Sequence, residues 1–290
     1  MAAAHLLVDA VHVVDSDLWW RVADRHYQIL QEADGWMLDP YCKPEEALAQ
    51  QMLTAELPLT LAYLFSEIRP LYALRTSARD RLTEAFEELL NGEGLLHGRL
   101  AGVMRPLLAC WTRCAVIGER MRKAPWPKDA QRQYGWMVRQ ALRWTRGDAR
   151  ALLASNQKAP WNADFLAAAL RLGGDPSDVA AAQSMLGKMA PGKPSNYDEP
   201  EPSDHCEWSG TAVLRTSFAR DAAVWAVDYT VDEMRIEFVV GRQPLLEGIW
   251  NSTSMVDGRV VTAAGEWEET CWFSDDDVDY LELGVDLTEG

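Results

Sequence analysis

The sequence has little of the residues that usually carry recognisable chemistry. Its five cysteines include no pair with CxxC spacing, so neither a disulfide framework nor a zinc ribbon is predicted. Its five histidines form no HxH, HxxxH or HExxH spacing, and we predict no metal site. No glycine-rich phosphate loop follows a strand, and we predict no bound cofactor. No run of about 18 apolar residues occurs, which predicts no membrane span.

The N-terminal residues also lack the features of a signal peptide. Positions 1–14 have no basic start and no clear cleavage site, and Asp9 and His12 interrupt their apolar stretch. The sequence therefore predicts a cytoplasmic protein, and a periplasmic or secreted location stays open if the N-terminus is incomplete. The oligomeric state is left open by the sequence.

Positive charge is scarce in the second part of the chain. Residues 195–290 carry five Lys and Arg against 22 Asp and Glu, whereas residues 1–194 carry 23 against 22. This asymmetry predicts two bodies with different surfaces. Because the acidic part should repel nucleic acid, a nucleic-acid partner is not favoured.

The first 190 residues have the apolar spacing of helices. Pro44, Pro106 and Pro127 open predicted helices, Pro58 and Pro70 divide the pattern, a further helix is predicted from Arg79 to Leu90, and Asn162 and Asp175 begin the last two. Many helices with short joints indicate a toroid, a solenoid or a bundle. No repeat of constant period is present, so a regular solenoid is not favoured.

The pattern changes after residue 190. Residues 191–206 hold four prolines and no apolar period, which is typical of a linker. Six strands are predicted beyond it, over residues 211–218, 223–229, 234–240, 258–262, 266–272 and 278–285. We therefore predict an α+β protein with a helical domain (1–190), a linker (191–206) and an antiparallel β-sheet or sandwich (207–290). That second domain is either complete or the first part of a larger sheet.

The most basic stretch is 99–150, with twelve Lys and Arg against three Asp and Glu. On the helix that Pro127 opens, a stripe is predicted with Arg132, Trp136, Arg139, Arg143 and Arg146, and Arg150 extends it if the helix continues past Gly147. Tyr134 falls on the opposite, buried face. Arginine forks around an indole suit an anionic polymer. The alternative is a stripe that pairs with the acidic second domain.

Residues 206–221 (CEWSGTAVLRTSFARD) and 91–99 (NGEGLLHGR) carry a resemblance to a known family. The first segment is similar to the one that opens the β domain of heparinase II/III-like polysaccharide lyases, and the second resembles an inter-helix turn of their α/α toroid. The order of helical array, linker and antiparallel sheet is also that of the family. The family's His-Gly-His-like segment has no counterpart, because residues 231–238 contain no histidine.

The resemblance implies a toroid-like helical array and a function in binding, and cleaving by β-elimination, an acidic uronate-containing polysaccharide or oligosaccharide. Such a reaction needs a neutralised carboxylate and a base for the C5 proton. In the basic region the predicted base is Tyr134 or His97 and the neutraliser is Arg99, Arg139 or Arg143, while the predicted saccharide contacts are Arg132, Trp136, Arg139 and Arg143. A non-catalytic protein, whose basic helix docks a protein partner or its own acidic domain, stays open.

Overall fold

The computed structural model describes residues 2–33, 35–36, 38–154, 159–192, 196–230, 234–250, 253–257, 259–263, 265–275 and 277–289. The protein has an α+β fold, with helices first and antiparallel sheets second, as predicted. The helices are α1 (Ala2–Asp9), α2 (Ser16–Ala33), α3 (Pro44–Gln51), α4 (Leu57–Leu64), α5 (Arg69–Leu89), α6 (Met104–Arg120), α7 (Lys128–Arg143), α8 (Ala163–Gly173) and α9 (Pro176–Leu186). Closure of these helices into a toroid stays a prediction.

Local sequence signals explain several helix starts. The Asn162 side chain accepts hydrogen bonds from two backbone N–H groups in the first turn of α8. Asp175 forms a capping box with Asp178 at the start of α9, where Pro176 occupies the first turn. Both predicted starts are confirmed.

Two predicted helix boundaries differ from the structure. Arg79 does not begin a helix, because α5 runs without interruption from Pro70 in its first turn to Leu89. Pro58 does not separate two helices either. A π-helical turn, Met52–Glu56, joins α3 to α4, and Pro58 lies in the first turn that follows. The wider turn relieves the clash that a proline ring makes with an α-helix.

The strands are β1 (Asp204–Cys206), β2 (Thr211–Arg215), β3 (Ala223–Asp228), β4 (Met234–Val240), β5 (Gln243–Trp250), β6 (Thr253–Val256), β7 (Arg259–Ala263), β8 (Glu268–Ser274), β9 (Asp279–Gly284) and β10 (Leu287–Glu289). They form an antiparallel sheet in the order β1-β2-β3-β4-β5, a second in the order β10-β7-β6, and the hairpin β8-β9. Residues 231–233 of the histidine-free stretch lie outside the described residues.

Four strands, β1, β5, β6 and β10, were not expected from the sequence. β1 lies in the predicted linker and pairs with β2, with His205 opposite Ala212. β5 contains Pro244, which a central strand does not tolerate, but β5 is the edge of its sheet and a bulge between Phe238 and Val239 accommodates it. The predicted domain boundaries at 190 and 206 stay a prediction.

The helices and the first sheet share one hydrophobic core. The same cluster contains Trp111 and Leu107 of α6 together with Val213 of β2, Val224 of β3 and Val239 of β4. Within the described residues, one stretch, Gly98–Arg120, is long and apolar enough to cross a membrane by length and composition alone. Most of its residues are buried inside the fold, and this packing accounts for its apolar composition.

Candidate functional site

A cleft lies where the turn before α6 meets the turn between β1 and β2. Its volume is about 280 Å³. Its lining combines titratable, aromatic and charged side chains: His97, Arg99, Glu207, Trp208, Gly210, Tyr229, Thr230, Glu266 and Trp267. Two predicted site residues, His97 and Arg99, therefore lie in the same cavity, and the remaining groups come from turns and loops that flank the strands.

The two segments that carry the sequence resemblance contact each other at this cleft. The Asn91 side chain accepts hydrogen bonds from the backbone N–H groups of Glu93 and Leu95, which shapes the turn before α6. Its amide donates to the Cys206 Sγ at 3.2 Å. The Gly98 N–H donates to the Ser209 carbonyl oxygen at 2.8 Å. The helical array and the sheet are thus joined by hydrogen bonds at the cleft itself.

Two glycines permit this close approach. A Cβ at Gly98 would lie 2.7 Å from the Ser209 carbonyl oxygen and from the Thr230 methyl group. Gly210 has a φ of +59°, a left-handed conformation that favours glycine. A side chain at either position would push the two walls of the cleft apart.

His97 is 6% exposed and lies between two aromatic rings. The Tyr41 and Trp208 rings meet it edge-on, at centroid distances of 4.9 and 5.5 Å. Burial lowers the pKa of His97, Arg99 lowers it further, and Asp228 opposes the change. The Arg99 N–H points at Nδ1 from 3.4 Å, so we assign the ring proton to Nε2. At neutral pH His97 is therefore an uncharged imidazole.

Tyr229 forms a close pair with His205 of β1. The Tyr229 hydroxyl lies 2.6 Å from the His205 Nε2. Burial raises the pKa of Tyr229, and nearby Glu269 raises it further. Burial also lowers the pKa of His205, which packs against the Trp272 ring at 5.2 Å. The hydroxyl is therefore protonated and donates to a neutral imidazole, so the pair can pass a proton.

Arg99 differs from the other predicted site arginines because its side chain has no hydrogen-bond or ion-pair partner among the residues that the structure describes. It is exposed at the mouth of the cleft, next to His97. An unpaired guanidinium retains all its donors for a ligand, and its fork matches the geometry of a carboxylate. Arg99 is therefore the cation best placed to hold an anionic group in the cleft.

The remaining arginines of the predicted stripe are paired within the protein. Arg139 donates from Nε to Asp178 at 2.7 Å and from Nη2 to Asp175 at 2.5 Å, which ties α7 to the start of α9. Arg143 donates to the Asp204 carboxylate at 3.2 Å and to the Glu201 carbonyl oxygen at 2.9 Å. Their donors serve the fold, so they offer little to a saccharide.

On α7, Arg132 is exposed and Trp136 is half-buried, and neither residue lines the cleft. Arg132 pairs with Asp129 at 3.2 Å, and its guanidinium lies 5.4 Å from the centroid of the Trp136 ring. Both partners of this ion pair are well exposed, and such pairs contribute only about 0–1 kcal/mol. The structure therefore separates these two predicted contacts from His97 and Arg99.

The predicted stripe ends earlier than expected, because α7 stops at Arg143. Arg146 lies in the following loop and donates to the Glu237 Oε1 of β4 at 3.0 Å, while the Glu237 Oε2 accepts from the Leu153 N–H at 2.6 Å. Arg215 of β2 is 2% exposed and donates to the Thr145 carbonyl oxygen beyond the end of α7. Burial lowers the pKa of Arg215 to about 10. The contacts of Arg146 and Arg215 therefore join the end of α7 and the loop after it to the first sheet.

Tyr134, the other predicted base, is fully buried in α7. Its hydroxyl lies 2.8 Å from the Thr112 Oγ1, and its ring packs on Trp126 at 5.3 Å. Burial raises the pKa of Tyr134. The prediction that it lies on the buried face is confirmed. Tyr134 does not line the cleft, and its hydroxyl pairs with a threonine rather than with a histidine, so its position disfavours the role of base that the sequence predicted for it.

Sequence reasoning missed Tyr229, His205 and Trp208. His205 lay in the predicted linker and Tyr229 at the end of a strand, so nothing in their spacing connected them. The one usable signal was the resemblance segment 206–221, which includes Trp208 and follows His205 directly. Over the described part of the chain, no group of three or more His, Cys, Asp or Glu is placed to hold a metal ion.

The fold is heparinase-like, as comparison with solved structures shows. The heparinase III BT4657 gene product matches with a TM-score of 0.62 and 14% identity, over 92% of this chain and 44% of that one. A crystal structure of heparinase III matches with a TM-score of 0.61 and 10% identity, over 80% and 38%. The chain thus spans less than half the length of these structures. No protein-family model matches the chain, and no curated protein matches its sequence.

Proposed function

We propose that the protein binds a uronate-containing polysaccharide or oligosaccharide in the cleft and cleaves it by β-elimination. The observation that carries the proposal is the convergence of His97, unpaired Arg99 and Tyr229 on one cavity, with His205 hydrogen-bonded to Tyr229. The heparinase-like fold supports it. The same proposal moves the saccharide contacts from the paired arginines of α7 to the cleft.

Arg99 holds the uronate carboxylate in this scheme. The C5–H bond next to a carboxylate is a very weak acid until the negative charge is neutralised, and a guanidinium fork supplies that neutralisation. Trp208 is 41% exposed at the cleft, so its ring is available to stack on a sugar face. The His97 Nε2–H supplies a further donor to the developing enolate.

Tyr229 and His205 move the proton. Tyr229 Oη takes the C5 proton as its own hydroxyl proton passes to the His205 Nε2. The electron pair of the broken C5–H bond forms the C4=C5 double bond, and the C4–O4 bond breaks. The leaving O4 takes a proton back from Tyr229, which His205 reprotonates. The pair thus ends the cycle in its starting state.

The test is an incubation with heparosan, heparin, chondroitin or alginate while the absorbance of the unsaturated uronate product is followed. We expect absorbance to rise with at least one polymer and to be lost in Tyr229→Phe. The matched control is Tyr63→Phe, a tyrosine of α4 that does not line the cleft. No absorbance with any of the four polymers contradicts the eliminative part of the proposal.

A second candidate is a non-catalytic role in which the basic helix docks the protein's own acidic sheet. The Arg143–Asp204 and Arg146–Glu237 ion pairs favour it. If no polymer is bound or cleaved, this docking is the function that Arg143 and Arg146 support. A loss of thermal stability in Arg143→Gln, without any change in polyanion binding, is the result expected in that case.

A further inference from the structure

A second, smaller cavity lies in the helical array and shares no lining residue with the cleft. Its volume is about 160 Å³. Arg75, Thr76 and Arg79 reach it from α5, and Lys123 reaches it from the segment after α6. Leu59 and Pro125, both buried, form part of its apolar wall. Three cationic side chains therefore converge on one small space.

No carboxylate lines this cavity, although the chain as a whole carries a net charge of −16. Within the described residues, the side chains of Arg79 and Lys123 have no ion-pair or hydrogen-bond partner. Arg75 is held over the Tyr72 ring, with its guanidinium carbon 3.9 Å from the ring centroid, and this contact leaves its N–H groups free. Among the described residues, no ion pair thus offsets the three positive charges, and Arg75 has only its contact with the Tyr72 ring.

The donor set matches one kind of ligand group. Two guanidinium forks, an ammonium group and the Thr76 hydroxyl can all donate to oxygens of a compact anion. The cavity is little more than half the volume of the cleft, so it suits a single anionic group better than a sugar ring.

We propose that this cavity binds a tetrahedral oxyanion, the sulfate or phosphate group of a small ligand or of a substituted saccharide. The Arg75 and Arg79 guanidinium groups donate hydrogen bonds to oxygens of the anion, Lys123 supplies the third positive charge, and the Thr76 hydroxyl donates to a remaining oxygen. The site is separate from the cleft, and its existence does not depend on whether the protein cleaves a uronate.

The test is calorimetric titration of the full chain with inorganic sulfate and with inorganic phosphate, at constant ionic strength in chloride. We expect saturable binding at one site. Arg79→Gln and Lys123→Gln should each weaken it roughly tenfold, because each removes a charge-assisted hydrogen bond. Lys128→Gln is the matched control, since Lys128 is exposed and lies outside the cavity. Glucose 6-sulfate and glucose 6-phosphate then test whether the site binds the anion when it is attached to a sugar, and whether it prefers sulfate or phosphate.

Three results would overturn the proposal. They are absence of saturable binding by either inorganic ion, binding that persists unchanged in the Arg79→Gln/Lys123→Gln double variant, and an equal loss in Lys128→Gln. Both substituted side chains are exposed, so the variants should keep the melting temperature of the parent, which separates loss of the site from loss of the fold.

Discussion

Arg99 of the cleft and the stripe of α7 both belong to the basic stretch 99–150, yet their side chains have different partners in the structure. Arg139, Arg143 and Arg146 point their donors at carboxylates of the same chain, whereas Arg99 faces an open cavity without a partner among the described residues. A cluster of arginines in a sequence therefore indicates a ligand site only where acidic residues of the same fold do not pair with it. Here carboxylates at the start of α9, in β1 and in β4 pair with Arg139, Arg143 and Arg146, respectively.

The largest expected effect is a loss of stability when the Arg146–Glu237 ion pair is removed. Arg146→Met leaves Glu237 buried without its counter-charge, because the two side chains are only 9% and 3% exposed. Loss of one partner of a buried pair costs about 3–5 kcal/mol. We expect denaturant unfolding to show a loss of this size. The double variant Arg146→Met/Glu237→Met should recover part of it, and a single variant as stable as the parent would contradict the docking role.

The second effect concerns the chemistry in the cleft. Tyr229→Phe removes the hydroxyl that links the substrate to His205 and should lower kcat about a hundredfold or more, with little change in KM. The packing of the ring is kept, so the melting temperature should change little. Initial rates of unsaturated uronate formation measure the effect. A Tyr229→Phe variant with the parent's kcat would rule out the assigned proton path.

The third effect compares the free arginine with a paired one. Arg99→Gln should weaken saccharide binding about tenfold, because one charge-assisted contact with the carboxylate is lost. Arg132→Gln removes the same charge from the exposed face of α7 and should leave affinity unchanged. Affinity electrophoresis in gels containing the polysaccharide measures both variants side by side. Equal weakening of binding in the two variants would show that the stripe of α7 contributes to saccharide binding as much as the cleft does.

The smallest effect is a pH dependence of stability. Burial lowers the pKa of His97 and of His205 below the ordinary value of 6.5. Below about pH 6.5 the unfolded chain therefore binds protons that the folded chain does not. The free energy of unfolding falls as the pH decreases below this value, and these two histidines do not lower it at higher pH. His205→Asn should fall less in melting temperature between pH 7.5 and pH 5.5 than the parent does. An identical fall in both proteins would show that His205 does not contribute.

Much of the fold was predictable because local signals decide it. Asn162 and Asp175 cap helices through bonds within three residues, and the alternating strands 223–228 and 234–240 fall where the pattern placed them. The predictions that failed concern features that depend on tertiary structure. Pro244 is tolerated only because β5 is an edge strand, and that position in the sheet is not a local property of its sequence.

The site was predictable only in half. His97 and Arg99 stood out because they begin the basic region beside a glycine-flanked turn. Tyr229 and His205 are 24 residues apart and meet only after β1 pairs with β2 and the turn at 207–210 docks on Gly98. Likewise, the carboxylates that pair with Arg139 and Arg143 lie 36 to 61 residues away in the sequence. The helical periodicity of α7 alone therefore could not predict that these arginines are paired.

The most direct measurement is hydrogen exchange of the full chain with and without oligosaccharides of heparosan, chondroitin and alginate. We predict that a bound oligosaccharide slows exchange in residues 91–99 and 206–210, the two walls of the cleft, and leaves α7 over Lys128–Arg143 unchanged. Protection centred on α7, or no protection with any of the three oligosaccharides, would contradict the assignment of the cleft as the saccharide site.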